Sequence, residues 1–107
     1  MNDPSLIAII NSEMDLALPP DTAFAALRQQ LQLAVGRLIE KDFQRLVFVL
    51  YRVDVNERKL KYLLQENVGE DAAVIIADLI IERQLEKIKT RQQFKQQDDN
   101  LSDEEKW

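Results

Sequence analysis

Apolar residues recur along this chain at three- and four-residue intervals, and the recurrence changes phase at only a few points. Phe24, Leu27, Leu31, Ala34, Val35 and Leu38 share one stripe at helical spacing, which predicts a helix over 22–40 capped by Asp21 or Thr22. Asp42 then offers a cap for a second helix over 43–53, through Phe43, Leu46, Val47, Leu50 and Val53, although unbroken helix from 22 to 53 also fits the spacing. Asn56, with Val55 before it and Leu60 after it, has the form of a hydrophobic staple opening a third helix over 57–67; Asp54 with Glu57 is a competing capping box. Gly69 supplies a terminator, and Glu70 and Asp71 put negative charge on the first turn of a long helix over 71–96.

One stretch, Leu46 to Tyr51, is ambiguous in itself, because β-branched and aromatic residues favour strands. Helix is the better reading. Its flanks keep helical spacing, and no second strand is visible to satisfy its backbone groups. The sequence therefore describes a single all-α domain, a small four-helix bundle-like body at 21–97 with one long C-terminal helix. A short apolar segment at 1–20 precedes it, where Asp3-Pro4 can open a brief helix carrying Leu6, Ile10 and Met14. A disordered acidic tail at 98–107 follows. The expected core comprises Leu27, Leu31, Leu38, Phe43, Leu46, Leu50, Leu60, Leu64, Ile75, Leu79, Ile81 and Leu85, with the second helix, apolar nearly all round, at its centre.

Composition narrows the chemistry more than the fold. The 107 residues include no cysteine and no histidine. This removes disulfides, thiolate ligands, a cysteine nucleophile, the commonest general base and the usual nitrogen ligand of metals. No glycine-rich phosphate cradle is present, and no segment approaches the ~20 apolar residues of a spanning helix. These features predict a cytoplasmic protein that is not an enzyme, with no cofactor and no metal. The net charge of −5 is uneven: −3 over residues 1–20, +2 over 21–97 and −4 over 98–107.

Leu50-Tyr51-Arg52-Val53-Asp54-Val55, then Glu57, Lys59 and Leu60, then Ile80-Ile81-Glu82-Arg83-Gln84 form a string that resembles a group of short bacterial proteins of unknown function. The resemblance covers about residues 38–94. It implies an all-helical fold and a bacterial cytoplasmic setting, and brings no catalytic residue with it.

The charged positions admit two readings. Asp78, Glu82 and Glu86 form an acidic stripe on the long helix, beside a basic one of Arg83, Lys87, Arg91 and Lys95. Asp78 and Glu82 as a carboxylate pair for a cation would echo the di-iron bundles, which also require histidines that this chain lacks. The favoured reading is that they form interhelical ion pairs with Arg45 and Arg52, which share a face of the second helix. Asp54-Val55-Asn56 fails as a calcium loop, since Arg58, Lys59 and Gln65 stand where an oxygen ligand, a glycine and a glutamate belong. The basic stripe makes a nucleic-acid-associated helical protein the alternative function, against a pI near 4.7. The leading function is protein–protein interaction or assembly, with a possible homodimer through the second helix or through the long helix and its four-three seam Ile81, Leu85 and Ile88; a monomer whose helices cover one another and a groove for a different partner are the competing readings.

Overall fold

The computed structural model describes residues 4–67, 69 and 71–104, with side chains described as far as Gln93. Among these the chain forms helices α1 (Pro4–Met14), α2 (Phe24–Lys41), α3 (Phe43–Val53), α4 (Glu57–Glu66) and α5 (Ala72–Glu104), and no strand. The caps expected at Asp3 and the charge expected from Glu70 lie outside the described residues. So do the last residues of the acidic tail, although the helical backbone of α5 continues to Glu104.

Local chemistry sets most of the boundaries. The Asp42 carboxylate accepts from the Arg45 N–H at 3.1 Å, so α2 and α3 are separate helices, and the run Leu46 to Tyr51 is helical. Asn56 caps α4 through the Lys59 N–H at 3.1 Å, while Asp54 does the opposite job. It takes a left-handed conformation (φ 66°) and closes α3, with the Val55 N–H reaching back to the Leu50 carbonyl at 3.1 Å. Asp15 ends α1 in the same way (φ 55°), and the Leu16 N–H reaches the Asn11 carbonyl at 3.0 Å. The Asp71 carboxylate accepts the Ala73 N–H at 2.9 Å at the start of α5. Neither Asp21 nor Thr22 caps α2. The residue before that helix is Ala23, without a side-chain cap, and the Thr22 hydroxyl instead donates to the Pro19 carbonyl.

The first helix corrects the expected architecture. The expected short helix forms, and Leu6, Ile7, Ile10 and Met14 are buried, so α1 packs as a fifth element of the core although the domain was expected to begin at residue 21. Asn11 fastens the following linker to it, accepting from the Leu18 N–H at 3.0 Å and donating to the Leu18 carbonyl at 2.9 Å. The central packing is α2 against α5, where Leu27, Leu31, Ala34 and Val35 meet a face of α5 built on Ala73, Ile76, Ala77, Ile80 and Ile81. The small residues let the two backbones come close.

Gly36 lies within α2 at this contact. A methyl group there would meet the Ala73 Cβ at 3.9 Å, which is ordinary van der Waals contact. Gly36→Ala is therefore expected to stabilise the protein by about 0.5–1 kcal/mol through lower backbone entropy of the unfolded chain. A rise in the urea midpoint at unchanged m-value would show it.

Two expected core residues lie outside. Phe43 and Leu85 are exposed, while Leu38, Leu50, Leu60 and Leu64 are half-buried. On α5 the inward stripe passes through Ala77, Ile80, Ile81, Gln84 and Ile88, so the buried position one turn beyond Ile80 is a glutamine and its apolar neighbour Leu85 turns outward. Among the described residues no helix is long and apolar enough to cross a membrane.

Candidate interaction surface

Of the eleven residues of α3, eight are apolar or aromatic, and the helix buries only one side of them. At ~100° per residue Val49, Val53 and Leu46 fall together and are buried, with half-buried Leu50 and then Phe43 at the border. Val47, Tyr51 and Phe48 fall on the other side, around Gln44. Their exposures are 60% for Phe43, 48% for Val47, 68% for Phe48 and 85% for Tyr51. The sequence reading placed this helix centrally because it is apolar almost all round. It is in fact peripheral, since α2 and α5 pack on each other and leave α3 one face to dock with.

The same surface continues toward α4. A groove of about 800 Å³ runs between α3 and α4, floored by Leu50, Val55 and Leu60 and walled by Phe43, Val47 and Tyr51. Its polar rim is balanced, with Arg58 and Lys61 against Asp54 and Glu57. A contiguous apolar patch bounded by polar residues is the usual signature of a protein-binding face.

Of the two helices expected to carry self-association, α5 has its seam placed differently. Ile81 and Ile88 are buried within the chain and unavailable to a partner, and of the three only Leu85 reaches the surface. Sequence periodicity identified a cohesive stripe on α5 but not that α2 and its neighbours cover it.

All four residues proposed for ion pairs are paired, yet not with one another. Asp78 on α5 receives the Arg28 guanidinium of α2 in two parallel bonds, Nε to Oδ1 at 2.7 Å and Nη2 to Oδ2 at 2.9 Å. Glu82 receives Lys59 of α4 at 2.6 Å. Arg45 and Arg52 turn to the end of α1, where Arg45 binds Asp15 and Arg52 reaches Glu13 at 3.4 Å; the second Glu13 oxygen is buried without a hydrogen-bond partner. The reason is topological: α1, which the sequence reading left outside the body, occupies the flank of α3 that the arginines face. Asp78 and Glu82 therefore address different helices and do not converge on one cation. Among the described residues no cluster of three or more acidic side chains has the geometry of a metal site.

The basic stripe is partly spent in the same way. Arg83 donates to the Asp54 carbonyl at 3.1 Å, to the Asp54 carboxylate at 3.3 Å and to Glu86 at 3.2 Å. Lys95 lies beyond the described side chains.

Two cations are perturbed by their partners. The hydrogen bond from Arg28 to Asp78, with their mutual attraction, raises the Arg28 pKa. The hydrogen bond to Glu82 holds Lys59 above its ordinary 10.5 against a smaller opposing effect of desolvation. A raised folded-state value means that this pair stabilises the fold fully below pH 10.5 and ceases to do so as the pH climbs through the folded value. Lys59→Met is expected to leave a shallower loss of stability on the alkaline side, measurable as melting temperature against pH.

No family model, no curated protein and no solved structure matches this chain.

Proposed function

We propose that this protein is a non-enzymatic assembly module that associates with itself through the outward face of α3, in the bacterial cytoplasmic setting that its string resemblance implies. One observation carries the reading: Phe43, Val47, Phe48 and Tyr51 stand exposed along one side of a helix whose opposite residues Leu46, Val49 and Val53 are buried. Three aromatic side chains held this far out of the core cost solubility and contribute little to the stability of the single chain. Aromatic residues on a rigid helix are also the side chains that most often anchor protein interfaces.

Association with nucleic acid receives less support. Arg83, Arg45, Arg52 and Lys59 are matched by carboxylates of the same chain, and a binding face for phosphates needs unmatched cations.

Molar mass in solution across a hundredfold range of concentration tests the proposal. A dimer that Phe48→Ser converts to a monomer of unchanged circular dichroism is the expected result. A single-chain mass at every concentration would overturn it.

A further inference from the structure

We infer that the second copy docks with its α3 antiparallel to the first, across a twofold axis passing between Val47 and Phe48. This rests on the assembly reading and specifies how that interface is built. The outermost residues of α3 are Gln44, Val47, Phe48 and Tyr51, and their positions are symmetric about one point: Gln44 and Tyr51 are equidistant from it, as are Val47 and Phe48. A twofold axis through that point makes the contact isologous and pairs like-exposed positions, residue i of one copy meeting residue j of the other and j meeting i. Antiparallel α3 helices place the Val47 side chain on the Phe48 ring of the partner copy, twice, and bring the Gln44 amide to the Tyr51 hydroxyl, twice. Parallel packing would instead stack each residue on its own equivalent and leave Gln44 amides facing each other.

Area supports a second copy as the occupant. With ~150–250 Å² for each large side chain and the observed exposures, Val47, Phe48 and Tyr51 together with Phe43 at the border of the face offer up to roughly 500 Å² per copy. Two copies together reach the ~1,000 Å² that separates specific interfaces from incidental contacts. Charge points the same way. The nearest cations on α3, Arg45 and Arg52, are already matched by Asp15 and Glu13 of their own chain, and no acid or base stands among the four outermost residues. A strongly acidic or basic partner would find no complementary field there, whereas an identical uncharged face meets no repulsion despite the net charge of −5.

The chain contains no cysteine, so an introduced one is unique. Gln44→Cys and Tyr51→Cys proteins, mixed and oxidised, are expected to give the mixed 44–51 disulfide as the dominant cross-link, identified by peptide mass. Homodisulfides at 44 or 51 should be nearly absent, because equivalent positions lie about 10 Å apart along antiparallel axes, beyond the ~7 Å that a disulfide spans. Val47→Cys, beside the axis, should cross-link with itself and keeps the test informative if loss of Tyr51 weakens the dimer. Dominant 44–44 and 51–51 products would show parallel packing and overturn the inference. A dimer in which none of these positions cross-links would place the interface elsewhere on the surface and overturn it too, leaving self-assembly itself standing. A protein monomeric by mass would overturn the assembly reading and this inference together.

Discussion

Ile10→Ala is expected to destabilise the protein by about 2–5 kcal/mol, the range for removing a buried branched side chain and leaving a cavity. Ile10 has no solvent exposure, and Leu6, Ile7 and Met14 surround it in the same cluster as Leu27, Leu31 and Ile80. The Asn11 bonds to Leu18 hold the linker over this helix, so the surroundings have little freedom to collapse into the space. Phe43→Ala removes more atoms but from an exposed ring, and should cost about 1 kcal/mol or less in the single chain. Urea unfolding of the two variants at low protein concentration compares them directly. An Ile10→Ala cost no larger than that of Phe43→Ala would mean that α1 is not part of the cooperative core.

That contrast locates where the sequence was legible. The α2 stripe is unambiguous because four apolar positions at helical spacing are backed by polar residues on the other side, and Leu27, Leu31, Ala34 and Val35 are the ones buried. The same spacing in Leu6, Ile10 and Met14 is a weaker signal, because the segment is short and the two prolines at 19 and 20 suggest separation from the body. A short helix docked by one face needs only one apolar stripe, and this one has it. Asn56 and Asp42 act as caps because capping is local chemistry, decided by a side chain and the next three residues.

What spacing does not contain is the identity of the helix opposite. The recurrence of Asp78 and Glu82 places both on one side of α5, yet Arg28 and Lys59 come to them from two different helices. In α5 the seam slips by one residue, since 3.6 residues per turn carry the buried line through Gln84 while hydrophobicity alone selects Leu85. For α3 composition and spacing do not separate a helix buried all round from one that reserves half its apolar surface. Both have the same composition. The arrangement of the aromatic residues was the available signal, since Phe43, Phe48 and Tyr51 all lie away from Leu46, Val49 and Val53.

Adjacent positions of that helix are expected to respond in opposite ways to the same change. Leu46→Asp places a short carboxylate at a site with no solvent exposure, among the apolar side chains of the core. The side chain is too short to carry its charge to water, and burying it unpaired costs about 4 kcal/mol or more. Against a total stability of ~5–15 kcal/mol this brings the chain to the edge of unfolding, so loss of cooperative melting or a fall in helical circular dichroism is the expected result. Val47→Asp sits half in water already and should change single-chain stability by no more than about 1 kcal/mol. At the proposed interface it would set two carboxylates face to face beside the twofold axis, and conversion of dimer to monomer is the expected outcome. Equal destabilisation by both substitutions would mean that α3 is enclosed on both sides, and its outer face would not be available to any partner. Tolerance of both would mean that α3 is not docked at all. Only the split result, unfolding from one and dissociation from the other, fits a helix that uses half of its apolar surface to hold the chain together and the other half to join it to a second.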